Sequence, residues 1–372
     1  MRVALVLTQD RGGPVDLTVA LAREVADRPG GPAIMITGPR PQTSAGDVTG
    51  LLRPVHVRSK TDLTGGRKLG QILRAWAPDV VHAQDRRAAL AAVTGARVGA
   101  PVAATYHGVP DDAARLWVTE GPLARRRPSV RALAVLTADA LVAHRAAVTI
   151  APSMTMATFL RRRLRLPDAR LLMIPNGVAL PSPRPPDGPA RTFISVGTFA
   201  RAKSVGTLVE AFADVARTRP LLRLLLVGDG DERAACQRQA TALGVGGRIE
   251  FMGYRSDVPK LLARADVFVL PSMNENLPLA LIEAMGAGLA CIGTRVGAVP
   301  ELLGDGVGIL VPPADPAALA AAMAALADDP DLPLGLGRTA ASAATRFSVA
   351  RCADAHLALW HALACGTFSS AG

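Results

Sequence analysis

The chain has 372 residues, 49% of them hydrophobic and only 3% aromatic. It is too long for one ordinary core and too apolar for a disordered chain, so two domains are expected. With 35 Gly and 29 Pro it is neither collagen-like nor low-complexity, and so few aromatics argue against base-stacking surfaces and nucleic acid binding. The net charge of +11 is uneven. Residues 1–178 hold 25 Lys+Arg against 13 Asp+Glu, so the positive field belongs to the first half and suits an anionic partner.

In chain order, Met1–Thr8 is too short for a signal-peptide core and reads as a strand. Further strands are expected at Ala33–Thr37, Val55–Arg58, Val80–Val81, Val102–Thr105 and Val148–Ile150, with helical stretches such as Val15–Ala26, Leu69–Ala77 and Arg87–Val98 between them. The apolar stretch Ala132–Pro152 is broken by Asp139, His144 and Arg145 and is no membrane span, so a cytoplasmic protein is expected. Pro181–Pro189 has five prolines in nine residues and reads as a linker. The alternation then resumes. Strands are expected at Thr192–Val196, Arg223–Val227, Arg248–Phe251, Val267–Leu270 and Ala290–Ile292, and helices at Leu208–Thr218, Glu232–Leu243, Val258–Ala263 and Leu279–Ala287. Val349–Ala364 is amphipathic and reads as a closing helix able to return to the first domain. The pattern predicts two doubly wound parallel-sheet α/β domains, residues 1–178 and 192–348 joined by 179–191, with a cleft between the carboxyl ends of their strands. The cysteines Cys236, Cys291, Cys352 and Cys365 are far apart and form no metal spacing.

The most informative segment runs from Pro271 to Gly288. A buried strand ends, a turn carries Glu275, and a helix beginning near Pro278 carries Glu283 about one and a half turns in. The start of such a helix is an anion site, and carboxylates accept paired hydrogen bonds from vicinal hydroxyls, so a sugar and a ribose are natural partners. This segment resembles the signature of the family-4 glycosyltransferases of the GT-B fold, in which two glutamates stand eight positions apart. The resemblance implies that Glu275 contacts the transferred sugar, that Glu283 holds the nucleotide ribose, and that the backbone at Asn276 and Leu277 meets sugar or phosphate. The family often has Gly-Phe at those last two places.

Other segments are similar to the same family, densest from Phe193 to Leu310. The turn Gly197 to Lys203 is similar to the family's glycine turn with its phosphate-binding lysine, which implies Gly197 at the nucleotide and Lys203 at the phosphates. The arginine usual there is Thr198, and Arg201 is close enough to substitute. Gly228-x-Gly230 imitates a dinucleotide fingerprint, but Arg233 occupies the place of the third glycine, and Asp229-x-Asp231 imitates a metal-binding pair that belongs in a single mixed-sheet domain, not the second of two. The resemblance instead implies that Gly228, like Gly253 and Tyr254 after a later strand, lines the nucleotide site. Glu301 in Gly297–Leu302 reads equally as a donor contact or a helix cap. In the first half, Gly12 and Gly13 form a turn that lets backbone approach a ligand, and family members place it near the donor phosphates or the acceptor. His107, beside Gly108 at a strand end, matches the histidine that contacts the donor sugar, whereas His82 reads as structural. The basic clusters Arg125–Arg127 and Arg161–Arg165 read either as a solvated face or as contact with an anionic membrane.

The resemblance thus implies a retaining, metal-independent transfer of a hexose-type sugar from a UDP- or GDP-linked donor to a small-molecule or lipid-linked acceptor, with no cofactor beyond the nucleotide-sugar co-substrate. It casts Glu275, His107 and Lys203 as the catalytic residues. A nucleotide-sugar epimerase, a sugar phosphorylase and an NAD-dependent oxidoreductase are the alternatives.

Overall fold

A computed structural model describes residues 1–43, 45–59, 62–95, 99–108, 129–184 and 188–368. Arg125–Arg127, with the whole segment Asp111–Pro128 in which the sequence leads acceptor recognition to be expected, lie outside the described residues. The chain divides into two units. One comprises Met1–Val178 with Phe347–Gly372, and the other comprises Ala179–Arg346.

In the first unit β1 (Arg2–Val6), α1 (Gly13–Ala26), β2 (Ala33–Gly38), β3 (Leu52–Pro54), α2 (Leu63–Trp76), β4 (Val80–Ala83), α3 (Arg86–Gly95), β5 (Val102–Thr105), α4 (Val130–Arg145), β6 (Val148–Ala151), α5 (Met154–Arg163) and β7 (Leu171–Met173) follow one another. The strands form a parallel sheet in the order β3-β2-β1-β4-β5-β6-β7. Because helices cover both faces of such a sheet, its central strands are buried and mostly apolar, with His82 of β4 and Thr105 of β5 as polar exceptions. Val3, Ala4, Leu5 and Val6 of β1 are wholly buried.

The expected strand at Val55–Arg58 is displaced to Leu52–Pro54. Val55 still donates to the Gly38 carbonyl, and Val55 and Val57 still point inward. The neighbouring strand β2, however, ends at Gly38, where Pro39 has no N–H to offer, so the ladder stops.

In the second unit β8 (Thr192–Val196), α6 (Val205–Ala216), β9 (Arg223–Val227), α7 (Arg233–Ala242), β10 (Ile249–Gly253), α8 (Val258–Leu262), β11 (Val267–Leu270), α9 (Leu279–Gly286), β12 (Ala290–Thr294), α10 (Val299–Leu303), β13 (Ile309–Val311), α11 (Pro316–Asp328) and α12 (Leu332–Ala344) build a six-stranded parallel sheet. Its order is β10-β9-β8-β11-β12-β13. Phe193, Leu208, Phe212, Leu224, Val267 and Met323 anchor its core.

The last helix, α13 (Val349–Ala364), belongs to the first unit and packs on α1 and β4. It buries Cys352, Ala353, His356, Leu359, Trp360 and Leu363, a stripe at helical spacing. Val178 and Ser348 form a parallel bridge where the chain leaves and re-enters this unit. A Cβ on Gly177 would lie 2.4 Å from the Cys352 Cβ and 2.8 Å from the Val349 Cα, so only glycine lets the backbone reach α13.

Candidate functional site

Each sheet reverses its strand order once, between β1 and β4 in the first unit and between β8 and β11 in the second. At such a reversal the loops leaving the two strands part to opposite faces and open a crevice at the carboxyl edge. Lys203 and Glu275 meet at the reversal of the second unit, and Gly12 and Gly13 follow β1 at the reversal of the first, whereas His107, Tyr254 and Glu301 follow β5, β10 and β12.

In the second unit the loops after β8, β9 and β10 are laced by backbone hydrogen bonds. Phe199 donates to the Asp229 carbonyl, Glu232 to Phe199, and Gly228 to Gly253. Gly228 has φ +131°, and a Cβ there would stand 1.9 Å from the Gly197 carbonyl oxygen, which accounts for glycine in that turn without invoking a ligand. The register between β10 and β9 shifts between Phe251 and Gly253, and Tyr254 follows as an exposed ring. Such irregularities end pairing and re-aim the chain at the rim of a sheet.

After β8 a single 3₁₀ turn, Arg201–Lys203, precedes α6. It leaves Arg201 exposed and Lys203 half-buried. Met273, in the loop after β11, donates its N–H to the Ala202 carbonyl and so ties that loop to the turn. The tie brings Lys203 Nζ within 2.6 Å of Glu275 Oε1, across 72 residues of sequence. The same oxygen accepts the Ser272 hydroxyl at 2.7 Å. Ser272 is fully buried, and its own carbonyl accepts the Thr294 hydroxyl at 2.6 Å from the end of β12. Lys203 and Ser272 line a recess with Ser195, Gly197, Thr198 and Leu270, at the point of strand reversal.

Asn276 and Leu277 follow at once. Asn276 gives its carbonyl to Ala298 N–H, and Leu277 is buried. Pro278 caps α9, and Glu283 is half-buried inside that helix. Glu301 is exposed in the first turn of α10.

In the first unit Gly12 caps α1 and Gly13 begins it, at the end of the loop after β1. The opposite loop, after β4, carries Asp85. Its carboxylate accepts Thr8 N–H and Thr8 Oγ–H, both at 2.7 Å, together with the N–H groups of Arg87 and Ala88 at the start of α3. Asp85 therefore fastens the root of the glycine turn to α3.

His82 is fully buried. Its Nε2 lies 2.8 Å from Thr105 Oγ, and its ring stacks on His356 of α13 with centroids 5.2 Å apart. His107, half-buried after β5, reaches the Gln84 side-chain oxygen at 3.4 Å. Burial holds all three imidazoles neutral. It pushes His107 down to about 3, with repulsion from His356, once that ring is protonated in acid, adding to the shift, and pushes His356 down to about 4. His82 is also driven well below the usual histidine range.

Sequence reasoning missed Ser272, Thr294 and Asp85. Two of these carried a signal. Asp85 precedes a helix in the manner of an N-cap, and Ser272 stands three residues before Glu275 in a turn. Thr294 carried none, since its partner lies on another strand.

Two sequence comparisons bear on this arrangement. Residues 11–180 match the profile of Glycosyltransferase Family 4, and residues 190–329 match that of Glycosyl transferases group 1. The chain belongs to the family-4 glycosyltransferases.

Over 151 residues it is 36% identical to an N-acetyl-alpha-D-glucosaminyl L-malate synthase of Bacillus anthracis, a stretch covering 40% of this chain and 39% of that protein. Over 273 residues it is 30% identical to a glycogen synthase of Mycobacterium tuberculosis, covering 71% of this chain and 63% of that one. The chain thus spans less than two thirds of the length of these relatives.

Among solved structures, Anabaena HepE in complex with UDP superposes with a TM-score of 0.78 at 19% identity, over 97% of this chain and 100% of that one. The sucrose-phosphate synthase of Thermosynechococcus elongatus gives 0.78 at 22% identity, over 98% and 99%. The fold is GT-B, with two Rossmann-like parallel-sheet domains.

Proposed function

We propose that the protein is a retaining, metal-independent hexosyltransferase that moves a hexose-type sugar from a UDP- or GDP-linked donor to a small-molecule or lipid-linked acceptor. The observation that carries this reading is the Lys203–Glu275 pair beside the strand reversal of the second unit, with α9 starting three residues beyond Asn276. HepE and a second HepE structure with UDP and glucose give the reading a structural precedent for the donor.

As the glycosidic bond opens, the departing diphosphate gains negative charge. Lys203, with Arg201 beside it and the free N–H groups at the start of α9, stabilises that charge. Glu275 orients the sugar, Glu283 fixes the ribose, and the backbone at Asn276 and Leu277 meets sugar or phosphate. Gly197, Gly228, Gly253 and Tyr254 line the nucleotide. The first unit, with Gly12, Gly13 and a neutral His107, takes the acceptor. A basic surface on that unit meets anionic lipid when the acceptor is lipid-borne.

A thermal-shift panel of UDP-, GDP- and ADP-sugars, followed by an acceptor screen with the best donor, tests the reading. Glu275→Ala and Lys203→Ala are each expected to lower kcat by roughly a hundredfold or more. Near-normal turnover in both variants overturns the proposed site. Activity is expected to survive excess chelator, and dependence on added Mn²⁺ overturns the metal-independent mechanism.

A further inference from the structure

We propose that Ser272 is a positioning residue for Glu275, held in place in turn by Thr294. This rests on the proposed function, in which Glu275 contacts the transferred sugar.

Glu275 Oε1 receives two donors, the Lys203 ammonium at 2.6 Å and the Ser272 hydroxyl at 2.7 Å. The two differ in kind. Lys203 ends a flexible four-carbon stem, its side chain is 31% exposed, and its charge is what a diphosphate attracts. Ser272 is 0% exposed. Its hydroxyl carries one proton, directed at the carboxylate, and its carbonyl is gripped at 2.6 Å by Thr294, which is 2% exposed. Thr294 closes β12, a strand buried along its whole length, so the chain of contacts ends in the rigid sheet. When the ammonium turns toward phosphate, Ser272 is the donor that keeps Oε1 in place and leaves Oε2 directed at a sugar hydroxyl. Groups held by packing and a second layer of hydrogen bonds keep a site in its productive geometry.

The test is a double-mutant cycle on kcat with a saturating donor. Ser272→Ala is expected to lower kcat about tenfold while donor KM stays within about twofold, because the lost bond is to a charged group that acts on the bound sugar. In the Glu275→Ala background the same change is expected to cost less than twofold. Thr294→Val is expected to lower kcat about threefold, and Thr294→Ser, which restores the hydroxyl, to recover it. Thermal unfolding of each variant checks that the fold is kept.

Wild-type turnover in Ser272→Ala overturns the proposal. So does an equal loss with and without Glu275, since a hydroxyl that merely fills space costs the same in both backgrounds. If Glu275→Ala itself turns over normally, both the sugar-contact reading and this inference fall. If Glu275→Ala is crippled and Ser272→Ala is additive with it, only the inference falls.

Discussion

The Lys203 ammonium sits 2.6 Å from a carboxylate oxygen, so a phosphate drawn to it competes with Glu275. Glu275→Gln keeps the shape and removes the competing charge. UDP is expected to bind about fivefold tighter to this variant while turnover falls, because one partly exposed ion pair is worth up to about 1 kcal/mol. Isothermal titration reads the affinity, and weaker UDP binding would show that Glu275 is no rival of the phosphates. Both residues were legible as motif members. Their contact was not, because it spans 72 residues and depends on the backbone tie between Met273 and Ala202. The direction of the Ser272 side chain was hidden too, since a turn has no period from which to read it.

At the level of elements, the buried strands and the amphipathic helices were readable because their periods differ. Val267–Leu270 is a pure apolar run, and Val349–Ala364 repeats its stripe over four turns; both have the limits expected from sequence. The short strands β7 and β13 were not read, since three residues show no period. β3 was misplaced because the end of its ladder is decided by the neighbouring strand.

The packing of α13 on β4 has a measurable result. His82 and His356 are buried there as neutral rings, with His107, Gln84, Thr105 and Trp360 around them. Their folded pKa values lie below the unfolded value of about 6.5. Below about pH 6.5 the unfolded chain therefore binds protons that the folded chain refuses. Stability is expected to be flat above pH 7 and to be lost as pH falls toward about 4, by at most about 1.4 kcal/mol per pH unit for each histidine. Urea midpoints at pH 7.5 and 5.0 measure this. His356→Gln is expected to lose less between the two than the parent, and an equal loss would mean that other groups govern the acid limb.

Across the whole molecule, the positive charge of residues 1–178 is carried partly by the exposed Arg161, Arg162, Arg163 and Arg165, at and just beyond the end of α5. Helix α4, which shares a buried cluster with α5, exposes Val130, Leu133 and Leu141. No helix among the described residues is long and apolar enough to cross a membrane. Sedimentation with phosphatidylserine vesicles is expected to bring the protein down at low salt, less so at high salt, and less so with Arg161–Arg163 made neutral. Equal recovery with uncharged vesicles would leave those arginines as a solvated face. The two-sheet plan was visible in the sequence because the alternation of periods stops at a proline-rich stretch and starts again. The acceptor was not, because no motif in the first half encodes it.

The bridge between Val178 and Ser348 has its own consequence. Val178 donates to the Phe347 carbonyl, and Val349 donates back to Val178, so the chain departs and comes home through one doorway. Everything from 179 to 346 is thus a parenthesis in a sentence that closes without it. A chain in which a few glycines replace that parenthesis is expected to melt as one cooperative body with α13 seated, whereas a fragment cut at 178 loses Trp360 and the lid it places over β4.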